Sequence, residues 1–331
     1  MERLICLGIE STADNLGVGV ARSDGTILAN EISTHVPEEG GIHPREAARH
    51  HAEQMGNVIA KAMERADINR DDIDVISFSQ GPGLGPCLRT GATAARALAS
   101  HLGVPLVGVN HCVAHIEIGR LTTGAIDPLT LYVSGGNTIV TGFEAGRYRV
   151  FGETLDIAVG NCLDTFAREA GLEYPGGPAV EKLALDGATL ISLPYVVKGM
   201  DLSFSGLLTA ASQRLREGSW RLEDICYSIQ EVAYGMLGEV TERALAHTGK
   251  RELLLTGGVG ANRRLRSVIS SIADEHGASA MFVPIQYATD NGAMIAWTGI
   301  IAHLRGVNTP IEASHIDSRW RLDEVEVPWR D

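Results

Sequence analysis

Leu4-Ile5-Cys6-Leu7-Gly8-Ile9-Glu10, Asn15-Leu16-Gly17-Val18-Gly19-Val20-Ala21 and Thr26-Ile27-Leu28-Ala29-Asn30-Glu31 are three short apolar runs, with Ser23-Asp24-Gly25 between the second and the third. Strand formers separated by such brief Gly-containing connections predict an antiparallel meander. No helix precedes it. A helical run over residues 43–66 follows the Gly/Pro-rich segment 37–44. Next come a strand at 75–79, the loop Gly81-Pro82-Gly83-Leu84-Gly85-Pro86 and a helix over 90–102. The apolar run 104–109 then predicts a strand that leads into a helix with Asn110 as its natural N-cap.

The order then starts again. Residues 129–134, the turn Gly135-Gly136-Asn137, and residues 138–143 and 148–152 predict a second three-strand opening, after which helices resume near Asn161. Runs 253–258 and 280–284 read as late strands, each leading into a Gly-bearing turn and a helix, which puts Asn262 and Asp290 at strand-to-helix turns of the second half. This echo of pattern, without a repeat of sequence, predicts duplicated α/β domains facing each other across a cleft. Small residues, Gly and Pro at 122–128 mark the boundary. The expected division is a first lobe of residues 1–126, on which the charged, Trp-bearing segment 306–331 packs back, and a second lobe of residues 127–305.

A chain of 331 residues with 44% hydrophobic content can fill sizeable cores in both halves. No apolar run approaches the roughly 18 residues of a membrane span, and the N-terminus enters a strand pattern directly. The expected location is cytoplasmic, without a membrane. Five scattered cysteines, none in a CxxC, suggest buried thiols in place of disulfides or a thiolate zinc site. A net charge of −13 opposes unassisted binding to nucleic acid, which rewards clustered Lys and Arg. If RNA is the substrate, partners must help, although Arg147-Tyr148-Arg149 and Arg263-Arg264-Leu265-Arg266 are local basic patches or, equally, solvated surface.

Chemistry concentrates in Asn110-His111-Cys112-Val113-Ala114-His115. Two histidines four apart on a helix project from one face and can close on one metal ion, if other ligands converge there. Alone, the pair could equally be two half-buried, hydrogen-bonded imidazoles. Tyr132, opening Tyr132-Val133-Ser134-Gly135-Gly136-Asn137-Thr138, and Asp290, within Thr289-Asp290-Asn291-Gly292, are distant candidates beside glycines that let backbone approach a ligand. Imidazole nitrogens suit iron or zinc better than magnesium. Neither Gly-rich loop is followed by GK[ST], so a Walker A site is excluded, and there is no HExxH.

The doubled opening resembles actin, sugar kinases and 70-kDa heat-shock proteins. That resemblance implies a two-lobed actin-like ATPase fold of duplicated RNase H-like domains with a central cleft. Gly8 to Ala13 would be its first phosphate turn, Val133 to Thr138 its second and Thr256 to Asn262 its adenosine-side loop. Taken singly, each is an ordinary tight turn; three in this order are harder to dismiss.

Across nearly the whole chain the sequence also resembles the tRNA N6-adenosine threonylcarbamoyltransferases, in the archaeal and eukaryotic form that is the catalytic subunit of the KEOPS complex. The segments that carry this are Gly8-Ile9-Glu10-Ser11-Thr12-Ala13, Gly41-Ile42-His43-Pro44-Arg45-Glu46-Ala47-Ala48, residues 81–88, 110–115 and 132–138, Asn161-Cys162-Leu163-Asp164, Pro175-Gly176-Gly177-Pro178, Leu202-Ser203-Phe204-Ser205-Gly206-Leu207, and residues 256–262 and 289–294.

The resemblance implies transfer of a threonylcarbamoyl group from threonylcarbamoyl-adenylate to N6 of the adenosine at tRNA position 37, with release of AMP. It implies one divalent transition metal per subunit, iron before zinc, held by His111, His115, Tyr132 and Asp290. Val133, Ser134, Gly135 and Gly136 would cradle the phosphate and threonylcarbamoyl end, and Asp164, Gly177, Glu181 and Asn262 would bind the adenylate. The base for the N6 amine stays open between the metal, a phosphate oxygen and Asp164. Implied partners are tRNA, a small atypical kinase, a dimerising small subunit and a tRNA-binding subunit. The alternatives are an ATP-dependent small-molecule kinase of the same fold and a non-catalytic nucleotide-binding scaffold.

Overall fold

The computed structural model describes residues 3–37 and 41–330, so residues 38–40 of the Gly/Pro-rich segment and Asp331 lie outside the described residues. The opening meander is β1 (Ile5–Glu10), β2 (Asn15–Arg22) and β3 (Ile27–Thr34). It continues through α1 (Pro44–Ala66), β4 (Val75–Gly81), α2 (Gly85–Leu102), β5 (Leu106–Asn110) and α3 (His111–Thr123). The sheet order is β3-β2-β1-β4-β5, antiparallel across the meander and parallel from β1 through β4 to β5.

The second half contains β6 (Leu129–Val133), β7 (Thr138–Glu144), β8 (Arg147–Glu153), α4 (Val159–Glu169), α5 (Gly176–Ala184), a two-residue pair β9 (Val197–Lys198) and β10 (Asp201–Leu202), then α6 (Ser205–Glu217) and the long α7 (Leu222–Thr248). After these come β11 (Glu252–Thr256), α8 (Arg263–His276), β12 (Ser279–Phe282), α9 (Ile285–Ala288) and α10 (Gly292–His303). Its sheet runs β8-β7-β6-β11-β12, the same order of antiparallel opening and parallel late strands as the first. The doubling read from the sequence is therefore topological.

Two boundaries differ from the expectation for a physical reason. Helix α2 begins at Gly85, five residues before Thr90, because Pro86 lies in the first turn, where its missing N–H costs nothing. Asp290 does not follow a strand directly: α9 intervenes after β12, and the aspartate sits in the short connection between α9 and α10.

The chain also divides differently from a cut at residues 126 and 305. One compact unit comprises residues up to Thr122, the turn Glu144–Tyr148 and everything from Asp290 onward; the other comprises Thr123–Phe143 and Arg149–Thr289. Asp290 and α10 thus belong with the first unit. Helix α10 packs on β1, β2 and β4, and glycine permits this. A Cβ at Gly8 would stand 2.2 Å from the Ala296 amide nitrogen, and one at Gly19 equally close to that of Ala293. With no side chain at either position, the helix backbone rests directly on the hairpin.

Each unit has its own core. In the first, Leu7, Ile9, Val18, Ile76 and Phe78 pack with Ala92 and Ala95 of α2 and Val58 of α1. In the second, Phe166, Phe204, Tyr234 and Leu237 centre a cluster that takes in β6, β11 and the helices from α4 to α8. Burying such side chains contributes about 1.5–3 kcal/mol each. Among the described residues, no helix is long and apolar enough to cross a membrane.

Candidate active site

Helix α3 starts where β5 ends. The Asn110 side chain makes that junction, its Oδ1 accepting from the amides of Cys112 at 3.0 Å and Val113 at 3.2 Å. Every residue from His111 to Gly119 is buried, so this helix is covered on all sides. His111 and His115 stand edge to face, with ring centroids 4.7 Å apart. Asp290 joins them: its Oδ1 is 3.1 Å from His115 Nε2 and 3.5 Å from His111 Nε2. The three offer one ligand atom each within 4.8 Å of one another. Two imidazole nitrogens and a carboxylate oxygen this close together are a donor set that could hold a transition metal.

Glu10, at the end of β1, completes the arrangement. It is fully buried, and its Oε2 lies 3.1 Å from His111 Nδ1. Its Oε1 accepts from the Thr12 amide at 2.7 Å and from the Thr12 hydroxyl. A carboxylate on Nδ1 holds the proton there and leaves Nε2 as the donor toward a metal, which fixes tautomer and ring orientation. In the sequence Glu10 closes the first strand and falls in the expected phosphate turn Gly8 to Ala13, with nothing to mark it as a partner of His111. A lone acid at the end of an otherwise apolar strand was the available signal, but its partner lies 101 residues away.

Burial disfavours the imidazolium of His111, yet the carboxylates of Glu10 and Asp290 outweigh it and raise the group to about 9. His115 goes the other way, lowered mainly by burial. Burial alone would raise Asp290, but His111 and His115 bring it to about 2. The centre thus favours a carboxylate beside one readily charged and one neutral imidazole. A divalent cation would displace the His111 proton. His51, also buried, donates from Nε2 to the Ala13 carbonyl at 3.0 Å and is lowered to about 4, chiefly by burial. It braces the turn after β1 and is no extra ligand of the cluster.

The other sequence candidates lie in the second unit. Tyr132 is 1% exposed, and its hydroxyl accepts from Asn137 Nδ2 at 3.3 Å. Ser134 shapes the turn after Val133, its Oγ accepting from the amides of Asn137 at 3.0 Å and Gly136 at 3.3 Å. Nothing lies within 4 Å of where a Cβ would stand at Gly135, Gly136 or Gly177, so their backbones are open to an approaching group. A Cβ at Gly160 would meet the Ser134 carbonyl at 2.5 Å, which is how α4 seats its N-terminus on that turn.

Asp164, Glu181 and Asn262 each hold a helix start. Asp164 Oδ1 accepts from the Gly177 amide at 3.1 Å at the opening of α5, and Glu181 Oε1 from the Arg263 amide at 2.8 Å at the opening of α8. Asn262 caps α8 through the amides of Arg264 and Leu265 and donates to Gln230 Oε1 at 3.0 Å. Burial raises Asp164 against the pull of the Gly177 and Gly176 amides. In the basic patches Arg264 pairs with Glu231, Arg266 binds the Gly260 carbonyl and lies over Phe282, and Arg147 pairs with Glu326, while Arg149 and Arg263 are exposed.

Two five-stranded sheets of one topology define the actin-like ATPase fold, here with a His-His-Asp group at a strand end that could hold a metal ion. Solved structures agree on the fold. HypF from T. kodakarensis aligns with a TM-score of 0.64 at 16% identity over 92% of this chain and 48% of its own, and a 2-hydroxyisocaproyl-CoA dehydratase activator from Clostridium difficile with 0.55 at 12% over 92% and 97%.

Residues 26–297 match the family profile of tRNA N6-adenosine threonylcarbamoyltransferase, and the chain belongs to that family of acyltransferases, which modify N6 of an adenosine in tRNA. A tRNA N6-adenosine threonylcarbamoyltransferase of Thermofilum pendens is 57% identical over 100% of this chain and 98% of its own. One from Thermococcus kodakarensis is 55% identical over 98% and 100%. A probable bifunctional tRNA threonylcarbamoyladenosine biosynthesis protein of Methanobrevibacter smithii is 57% identical over 98% of this chain, which spans only 60% of that longer protein.

Proposed function

We propose that this chain takes the threonylcarbamoyl group from threonylcarbamoyl-adenylate and passes it to N6 of the adenosine at tRNA position 37, with AMP as the leaving group. The N6 nitrogen forms a bond to the carbamoyl carbon, the bond from that carbon to the phosphate oxygen breaks, and N6 gives up one proton. The convergence of His111, His115 and Asp290, with Glu10 fixing the tautomer of His111, carries this reading beyond the family assignment. In it the cation is iron before zinc, and Tyr132 supplies a further oxygen ligand. When bound, such a cation supplies a Lewis acid for the carbamoyl carbonyl or the phosphate.

The remaining work falls to the chain. The turn Val133-Ser134-Gly135-Gly136 offers side-chain-free backbone to the phosphate and threonylcarbamoyl end, where amides can approach without steric cost. Asp164, Gly177, Glu181 and Asn262 shape the adenylate site around the starts of α5 and α8. Asp164, which accepts from the Gly177 amide at the opening of α5, is a carboxylate of the kind that suits a ribose hydroxyl.

A net charge of −13 supports tRNA capture shared with partner subunits. In this reading the assembly is of the KEOPS type, with a small atypical kinase, a dimerising small subunit and a tRNA-binding subunit, working in the cytoplasm. The bifunctional name of the longer relative fits a second activity working alongside this one.

The test is transfer of labelled threonine from threonylcarbamoyl-adenylate to unmodified tRNA by metal-replete protein with its partner subunits. Wild type is expected to label tRNA over many turnovers, and His111→Ala/His115→Ala to lose labelling. Magnesium-dependent ATP turnover that survives the double substitution would instead make the chain a kinase, and no turnover of either kind a scaffold.

A further inference from the structure

Helix α3 carries a second buried polar system on the side away from its histidines. Glu117 follows His115 by two positions, about 200° around the helix, and is 1% exposed. A carboxylate buried so deeply is costly unless paired and hydrogen-bonded. Its Oε1 accepts from the Tyr148 hydroxyl at 2.6 Å and its Oε2 from Arg120 Nη1 at 2.7 Å. Tyr148 is fully buried, and its oxygen accepts from Arg330 Nη1 at 3.0 Å, while that guanidinium lies over the tyrosine ring 5.3 Å from the centroid. Burial, with Glu117 adding, pushes the phenol well up, so Tyr148 remains a donor.

The same C-terminal segment grips the other end of α3. The Trp320 carbonyl accepts from Asn110 Nδ2 at 3.2 Å, and Asn110 is the residue whose Oδ1 caps the helix. The segment is tied along its course, by Gln80 Nε2 to the His315 carbonyl at 2.7 Å and by the Asp317 amide to the Gln80 carbonyl at 2.9 Å. It is therefore a fixed part of the first unit.

We infer that the C-terminal segment, through Trp320 at Asn110 and through Arg330 and Tyr148 at Glu117, sets the rotation and depth of α3, which makes Glu117, Tyr148 and Arg330 positioning residues for the His111–His115 pair. Apolar packing alone tolerates small rotations of a helix, whereas hydrogen bonds restrict both length and angle. A rotation of about 5° moves an imidazole nitrogen lying ~6 Å from the helix axis by roughly 0.5 Å. Metal–ligand bonds accept only about 0.2 Å.

The inference rests in part on the reading of His111, His115 and Asp290 as a metal centre, so its test has a metal-free arm. Tyr148→Phe and Arg330→Met are compared with wild type and with Arg330→Lys, which keeps a donor for the Tyr148 oxygen. In metal-free protein, the imidazole 15N signals of His111 and His115 are expected to move in the first two variants while His247 stays in place. Cobalt(II) affinity, followed by d–d absorption, is expected to weaken roughly tenfold and to recover in Arg330→Lys.

Unchanged imidazole signals in both variants, or equal losses of affinity with Met and Lys at position 330, would overturn the inference. Equal cobalt uptake by wild type and His111→Ala would remove the metal reading while the imidazole signals still decide this one. If Tyr148→Phe fails to fold, Arg330→Met carries the test, since it alters a partly exposed side chain.

Discussion

The His-His-Asp cluster of the first unit and the glycine turns of the second are built by opposite means. At the cluster everything is side chain: Glu10, His111, His115 and Asp290 converge from β1, α3 and the α9–α10 connection, and against burial the carboxylates raise His111 while the two histidines lower Asp290. Around Gly135, Gly136 and Gly177 the working surface is backbone, while Ser134, Asp164, Glu181 and Asn262 brace turns and helix starts. A substitution at the cluster should therefore damage chemistry more than stability. At the turns the opposite should hold.

The sharpest way to break that contrast is Asp290→Ala. It removes an anionic ligand that is not a core side chain, so metal content should collapse and transfer fall by roughly a hundredfold or more, with far-UV circular dichroism preserved. Full metal occupancy by elemental analysis would show Asp290 not to be a ligand. Glu10→Gln is milder, because it keeps the shape but no longer holds the His111 Nδ1 proton with a charge. Metal affinity should drop about 10- to 100-fold, read by competition with a chelator.

In the second unit, Gly257 has φ of +89°, and a Cβ there would stand 2.1 Å from the Val133 carbonyl oxygen. Gly257→Ala should cost about 1–3 kcal/mol in urea unfolding, and it should weaken metal affinity far less than Asp290→Ala although the new methyl would also meet the Tyr132 ring at 3.1 Å. Asn262→Ala removes a helix cap and should cost about 1 kcal/mol without touching metal. If either change empties the centre, the two regions are not separable.

The most gradual expected effect is a pH profile. His51, lowered to about 4, leaves the unfolded chain holding more protons between pH 4 and 6.5, so stability rises with pH across that window. His111, raised to about 9, reverses the sign: its contribution is complete below 6.5 and lost as pH climbs through 9. Metal-free protein should therefore be most stable near pH 6.5, and bound metal should flatten the upper limb. A monotonic rise to pH 9 in metal-free protein would show that the Glu10–His111 pairing is not as described.

Strand openings and the HxxxH helix were legible because each is a local pattern, with period two between turns in the first case and one helix face behind an Asn cap in the second. What the sequence hid depends on distant packing. Asp290 read as part of the second half because its neighbours in sequence lie there, and only the bare hairpin surface at Gly8 and Gly19 draws α10 back to the first sheet. Glu10 looked like a strand end until His111 was seen on it. Arg147-Tyr148-Arg149 reads as a basic patch or solvated surface, whereas Tyr148 is fully buried against Glu117. Local periodicity says which way a side chain points, but not which remote residue completes it.

That return of α10 also has a consequence for the order in which the molecule comes into being. During synthesis the histidines of α3 leave the ribosome early, and their carboxylate partner arrives only after the whole second unit has been made. A nascent chain has Glu10, His111 and His115 but lacks the acid that closes the cluster. Closure of the His-His-Asp group is thereby postponed to a nearly finished polypeptide.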